Sequence, residues 1–304
     1  MLTLIFLLPL IPLAVLAVIA RLIYVLVTTD TTAPRTPEAR RASRSVAVAL
    51  GVSSALAIAA ATALIATDEL GRGLLLAFPV ALFVLQVGLA VATAIIGSAV
   101  RSRGTARAAS LTTRRVSDTA PRKLLTATLV GAVIALTFAG IGCAVASDDD
   151  AGRSRAFSSP GEYGGVEITT PFTGAYYAVP VMIVVLASTA LAIATIVGAR
   201  RWGALDQAEL DIMLRVGVST RTIAATAVSS GILLVVLGWS LMVAALQVAH
   251  STADSTLWTI GQYAFPAGAA FGFALGVWGF LAFLVPNRPR KTGASAAALR
   301  EVRA

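Results

Sequence analysis

Seven long apolar stretches limit what this chain can fold into more than any other feature. They occupy roughly residues 4–27, 46–67, 74–99, 124–146, 177–198, 223–248 and 263–285. Each is about 20 residues or longer, enough to cross a hydrocarbon core of ~30 Å as a helix. Charged residues make up 13% of the chain, whereas soluble domains contain roughly 25%. We therefore predict an all-α, polytopic membrane protein with seven transmembrane helices.

The connections between these stretches alternate in their content of basic residues. Residues 28–44, 101–123, 199–222 and 287–304 together hold 20 of the 24 Lys and Arg residues. Basic residues near membrane spans stay on the cytoplasmic side during insertion. The pattern therefore predicts an N-terminus outside and a C-terminus inside.

The net charge of +9 is explained by the same asymmetry. A basic inner face attracts the anionic lipids of the inner leaflet. Nucleic-acid binding is not expected, because the most basic connection, 101–123, contains no aromatic residue.

Composition divides the chain into two membrane parts. The predicted divisions are a three-helix part at 1–100, a basic cytoplasmic linker at 101–123, a four-helix part at 124–286 and a basic cytoplasmic tail at 287–304. Within the four-helix part, 148–176 is a short outer loop and 199–222 an inner loop. The alternation in 166–170 follows a turn-rich segment and is compatible with a small hairpin.

The chain carries no catalytic or metal-binding motif. It lacks a His-Glu-x-x-His, a Gly-x-Ser-x-Gly and a nucleotide-binding P-loop sequence. Its single His and single Cys cannot supply a usual zinc site. No Asp, Glu, Lys or His lies within the seven spans, which argues against a proton-coupled carrier. We expect no enzymatic activity, no cofactor and no metal, and we expect Gln86 and Gln247 to form interhelical hydrogen bonds.

Three glycines in the last span, Gly268, Gly272 and Gly276, recur every four residues and therefore lie on one helix face. Small residues at this spacing allow two helix backbones to approach closely in lipid. The partner helix can belong to the same chain or to a second copy, and the sequence leaves both open.

The inner loop 199–222 has the pattern of a short amphipathic helix. Asp206 followed by Glu209 is typical of a helix start, with an acid in place of Ser or Thr. Apolar and charged positions then fall on separate faces. We predict that Gly217 breaks this helix and that Ser219 caps the next span.

The segment 214–223 (Leu-Arg-Val-Gly-Val-Ser-Thr-Arg-Thr-Ile) resembles the inner loop of FtsX/MacB-type ABC transporter permeases. The C-terminal Ala-Ala-Leu-Arg-Glu at 297–301 is similar to the Ala-Leu-Arg ending frequent in that family. The resemblance covers roughly 124–304. The chain departs from the family by having one residue fewer between Arg215 and Gly217, and a short loop where the family has a large outer domain.

The resemblance implies a permease or mechanotransmission subunit that moves with a separate cytoplasmic ABC ATPase. The implied residues are Asp206, Glu209, Asp211 and Arg215 for docking of the ATPase, Gly217 for the turn, and Ser219 with Arg221 for the start of the next span. A homodimer and a second permease subunit both remain open as further partners.

The Ala- and Arg-rich composition is typical of a GC-rich bacterial genome, which suggests a bacterial plasma membrane. The alternative function is a non-transporting scaffold or accessory subunit of a larger membrane complex.

Overall fold

Six long helices and three short strands form the part of the chain that the computed structural model describes, which is residues 36–68, 70–101, 120–160, 165–202, 205, 208–250 and 256–284. In chain order the elements are α1 (Pro37–Ala66), α2 (Arg72–Arg101), α3 (Arg122–Val145), β1 (Ser147–Asp148), β2 (Ser154–Pro160), β3 (Val166–Thr169), α4 (Ala175–Arg201), α5 (Ala208–His250) and α6 (Thr256–Leu284). All six helices are long and apolar enough to cross a membrane. The chain is therefore a helical, multi-pass membrane protein. The predicted first span, most of the basic linker and the basic tail lie outside the described residues.

Local signals in the sequence explain where α1 begins. The Thr36 side chain accepts a hydrogen bond from the Ala39 backbone N–H at 3.2 Å, and Pro37 occupies the first helical position. Both are favourable at a helix N-terminus, as is Glu38 in the first turn. The helix thus starts before the apolar stretch at 46–67, because these polar residues extend it by several turns.

Successive helices run in opposite directions, so their ends gather at two levels. At one level, buried apolar residues from the start of α1, the end of α2, the end of α4 and the start of α5 pack together, and residues from the start of α3 and the end of α6 join a neighbouring cluster. Ten of the thirteen Lys and Arg residues that the structure describes lie at this level, which we call the basic end. The tertiary structure thus brings the described ends of the Arg-rich connections together.

The opposite level, which we call the sheet end, carries the three strands. Strand β2 pairs antiparallel with both β1 and β3. The Phe157 ring on β2 contacts Phe172 and Trp258, with centroids 5.1 and 5.2 Å apart. The pairing of β2 with β3 is the hairpin with which the alternation at 166–170 is compatible. The sheet is therefore attached to the helix ends by an aromatic cluster.

Helix α5 occupies the centre of the bundle and contacts each of the other five described helices. Its span-like section, Leu210–Val248, contains 39 residues, which as a helix is about 58 Å long. A hydrocarbon core is only ~30 Å thick. Helix α5 therefore reaches well beyond the core and connects the two ends of the protein.

Glycines allow α5 and α6 to pack with their backbones close together. A Cβ built on Gly231 of α5 would lie 2.5 Å from the Gly272 carbonyl oxygen of α6, and Gly276 lies against the same point. A Cβ on Gly268 would lie 2.5 Å from the Phe138 ring of α3. The glycine face of α6 is thus directed at helices of the same chain.

Candidate functional site: the elbow and the polar stripe of α5

The short connection between α4 and α5 is packed into the protein, and we call it the elbow, defined by Ala199, Trp202, Asp211 and Arg215. Helix α4 ends where the Trp202 backbone N–H donates to the Gly198 carbonyl at 3.2 Å. The Trp202 side chain is only 2% exposed. It packs with apolar residues of α1 and α2, so the elbow belongs to a core shared by four helices.

Arg215 joins the two arms of the elbow. Its Nε donates to Asp211 Oδ2 at 2.8 Å, its Nη1 to the Ala199 carbonyl at 2.5 Å and its Nη2 to the Trp202 carbonyl at 3.1 Å. The two carbonyls belong to the end of α4, where helix carbonyls have no partner within the helix and attract positive charge. The guanidinium also lies 4.8 Å from the centre of the Trp202 ring. One side chain of α5 therefore holds the end of α4.

Asp211 completes the same cluster. Its Oδ1 accepts a hydrogen bond from Trp202 Nε1 at 3.0 Å, while its Oδ2 binds Arg215. Asp211 is 5% exposed and Arg215 is 2% exposed. Two opposite charges survive this burial because they are paired and their polar atoms are hydrogen-bonded.

The resemblance implies that Asp206, Glu209, Asp211 and Arg215 dock an ATPase, and the structure shows where two of these side chains lie. Asp211 and Arg215 point into the core and do not present a charged surface. Asp206 lies outside the described residues, and Glu209 lies in the first turn of α5 with its side chain outside the described part. The docking role of these residues stays a prediction, and what the structure shows is that the Asp211–Arg215 pair is buried.

The predicted break at Gly217 and cap at Ser219 are corrected, because α5 is continuous from Ala208 to His250. Gly217 is buried and helical, and Ser219 and Arg221 lie inside the helix. A glycine inside a helix costs only about 1 kcal/mol. Ending the helix here would leave several buried backbone groups unpaired, which costs more.

A stripe of polar side chains continues from the elbow along α5. Its members recur at intervals of three or four residues and thus share one helix face. We call this set the polar stripe; it consists of Asp211, Arg215, Ser219, Thr222, Thr226 and Ser229, all of them 5% exposed or less. It extends over about 27 Å of the helix. Asp, Arg, Ser and Thr are mostly exposed in proteins, so a helix face of six such residues that is almost fully buried is unusual.

The middle of the polar stripe meets α2 and α4. Gln86 of α2 donates through Nε2 to the Thr222 carbonyl at 3.1 Å and to Thr226 Oγ1 at 2.7 Å. Thr226 Oγ1 lies 3.5 Å from the Ser188 carbonyl of α4. We call these four residues the polar junction. The expected interhelical hydrogen bond of Gln86 is therefore present.

At the sheet end, α5 is hydrogen-bonded to the segment that leads from β3 into α4. Gln247 Nε2 donates to Thr169 Oγ1 at 2.8 Å. Ser240 Oγ accepts hydrogen bonds from the backbone N–H and the hydroxyl of Thr173 at 3.3 and 3.2 Å. Gln247 thus bonds a strand where an interhelical partner was expected.

The first turn of the sheet is held by one carboxylate. Asp149 Oδ1 accepts hydrogen bonds from the backbone N–H groups of Ala151 and Arg153 at 3.0 and 2.9 Å. Its Oδ2 binds the guanidinium groups of Arg155 and Arg153. The Arg155 side chain, with the hydrogen bonds from Arg153 and Ala151, holds the pKa of Asp149 well below its usual range. The same contact with Asp149 raises the pKa of Arg155.

Sequence reasoning missed the polar stripe and the burial of the elbow charges. The signal was present as Ser and Thr at three- and four-residue spacing from 219 to 229, continuing the spacing of Asp211 and Arg215. It was not recognised because the predicted helix break at Gly217 assigns the members of the polar stripe to two different helices.

Comparison of the chain with protein-family models, with curated proteins and with solved structures finds no match.

Proposed function

We propose that this protein is the membrane subunit of an ABC-type transporter or mechanotransmission complex, and that it moves with a separate cytoplasmic ATPase. In this proposal the basic end faces the cytoplasm of a bacterial cell and the sheet end faces outward, as the positive-inside rule expects. ATP hydrolysis belongs to the partner, and the chain itself carries the movement across the membrane.

One observation carries the proposal: a single uninterrupted helix is fastened to the protein at both ends. At the basic end, Arg215 binds α5 to the last carbonyls of α4. At the sheet end, Gln247 binds α5 to Thr169 of β3, and Ser240 binds it to Thr173, which follows β3. A continuous helix transmits displacement along its axis, because shortening it would break its own hydrogen bonds.

The elbow is suited to receive force from a cytoplasmic partner. Its buried ion pair ties α4 to α5, and its apolar side chains pack on α1 and α2. A displacement at the elbow would therefore move four helices together. Docking is assigned to Asp206 and Glu209, since Asp211 and Arg215 hold the elbow from within.

The test is affinity purification of the full chain from native membranes, followed by mass spectrometry. We expect an ABC ATPase in stoichiometric amount. Reversal of Asp206→Lys together with Glu209→Lys should remove the ATPase and leave the chain folded. The matched control reverses two exposed acids at the sheet end, Asp148→Lys with Asp150→Lys, and should retain the ATPase.

Recovery of a different membrane complex without an ATPase would contradict the proposal. That outcome would favour the alternative of a non-transporting scaffold or accessory subunit. Retention of the ATPase by the variant with Asp206→Lys and Glu209→Lys would show that these two acids are not the docking site.

A further inference from the structure

The polar junction contains polar atoms that the described residues leave without a hydrogen-bond partner. Gln86 Oε1, Ser188 Oγ and Thr222 Oγ1 are buried, and no described atom pairs with any of them. Gln86 and Thr222 are 0% exposed and Ser188 is 1% exposed. The three atoms belong to members of the polar junction, which hydrogen bonds and close contacts connect to one another.

The orientation of the Gln86 amide is determined by its partners. Its Nε2 lies 3.1 Å from the Thr222 carbonyl, which can only accept. Rotating the amide by half a turn would place Oε1 against that carbonyl oxygen, and the two would repel. Oε1 therefore stays where it is, and as an acceptor it needs a donor from elsewhere.

The chemistry of the junction selects a small neutral ligand. A bound group has to donate to Gln86 Oε1 and accept from the hydroxyls of Ser188 or Thr222, which a water molecule does with its two hydrogens and two lone pairs. Internal water molecules typically make about three such hydrogen bonds to buried polar groups. A cation fits poorly, because none of the four junction residues carries a carboxylate to balance its charge.

We propose that the polar junction between α2, α4 and α5 binds internal water within the membrane-spanning bundle. Water there donates to Gln86 Oε1 and pairs with the hydroxyls of Ser188 and Thr222, the three buried atoms that lack a described partner. It supplies hydrogen bonds that these helices cannot supply to each other. This site is independent of the proposed ATPase partner.

The first experiment is solid-state NMR of the full chain in lipid bilayers, measuring how fast magnetisation passes from water to selected sites. The Nε2 signal of Gln86 is assigned by its loss in Gln86→Met. The reference is the backbone amide of Leu237, which lies on α5 and is 0% exposed. We expect transfer to Gln86 to be several-fold faster than transfer to Leu237. Equal rates would overturn the proposal.

The second experiment compares Thr222→Val with Thr226→Val by reversible unfolding in detergent. Thr226 Oγ1 accepts a hydrogen bond from Gln86. Removing this hydroxyl in Thr226→Val should therefore lower the ratio of folded to unfolded protein whether or not the junction binds water. Thr222 Oγ1 has no described partner. If water binds it, Thr222→Val lowers the ratio roughly fivefold. A rise in the ratio would mean that the hydroxyl is dry and unpaired, and would overturn the proposal.

Discussion

The charge of Arg215 is tolerated inside a membrane protein because its N–H groups donate hydrogen bonds to acceptors in fixed positions. Asp211 neutralises it through Nε, and the carbonyls of Ala199 and Trp202 accept one hydrogen bond each from Nη1 and Nη2. Lysine cannot reproduce this arrangement, because its ammonium group lacks the planar fork of donors that binds several acceptors at once. The residue is therefore a structural clamp between two helices.

Removing this clamp should strongly destabilise the protein. Arg215→Met leaves Asp211 buried without a counter-charge, and we expect a loss of about 3–5 kcal/mol in the free energy of unfolding. Arg41→Met, an exposed position on α1, should change it by less than about 0.5 kcal/mol. Reversible unfolding in detergent measures both. Equal stability of the two variants would show that the buried ion pair contributes nothing.

Asp149 should make the stability of the sheet depend on pH. Arg155 and the backbone of Arg153 lower its pKa in the folded state, so the ionised carboxylate stabilises the sheet above about pH 4, the ordinary value for Asp. This stabilisation is lost progressively as the pH falls from that value through the lowered pKa of Asp149 in the folded state. The NMR chemical shifts of the Ala151 and Arg153 backbone amides should change over the same pH range.

The control for this titration is Asp149→Asn. The variant has no carboxylate to protonate, so the response of the two amides below pH 4 should disappear. Persistence of the same response in the variant would assign the titration to another group.

The helices are joined in two different ways. Helices α5 and α6 pack through glycines, with Gly231 against Gly272 and Gly276, whereas α2, α4 and α5 meet through Gln86 and the polar stripe. Small residues bring backbones close in lipid, where apolar burial provides little driving force. Polar contacts add a requirement for specific partners, since an unpaired buried polar group is costly.

Two glycines on α5 should respond oppositely to substitution by alanine. At Gly217 the nearest atom to a new Cβ is Arg221 Nη1 at 3.7 Å, so Gly217→Ala fits and should stabilise by about 0.5–1 kcal/mol. At Gly231 the Cβ would lie 2.5 Å from the Gly272 carbonyl oxygen. Gly231→Ala should therefore destabilise by about 1–3 kcal/mol.

Unfolding of both variants against the unmodified chain measures this contrast. A destabilising Gly217→Ala would mean that α5 does not run straight through residue 217.

The whole molecule places its charges unevenly between its two ends. The basic end carries ten of the thirteen described Lys and Arg residues, and the sheet end holds the described acidic residues from Asp148 to Asp150. Such an asymmetry across a bilayer is the pattern that fixes orientation during insertion.

Cysteine labelling measures this orientation. In a Cys143→Ala background, Glu167→Cys at the sheet end should react with a membrane-impermeant maleimide in intact cells. Arg41→Cys at the basic end should react only after the cells are permeabilised. Both positions are exposed in the structure, so a lack of reaction reports the side of the membrane. The reverse pattern would invert the proposed topology.

The sequence by itself determined that this is a helical membrane protein, because hydropathy is a property of each segment and needs no tertiary partner. The alternation at 166–170 was compatible with a small hairpin, and the structure shows β2 paired with β3 there. The predicted first span and tail lie outside the described residues, and the membrane orientation remains a prediction.

Only the tertiary structure decided which partners the polar residues within the helices have. Sequence pattern placed Asp211 and Arg215 on the charged face of a short helix, and only the fold shows that the end of α4 supplies the carbonyls and the indole that bind them. It also ended a helix at Gly217, where packing against the surrounding helices maintains one. The reason is physical: burial and pairing depend on neighbours distant in sequence, and their free energies exceed the ~1 kcal/mol preference of a single glycine.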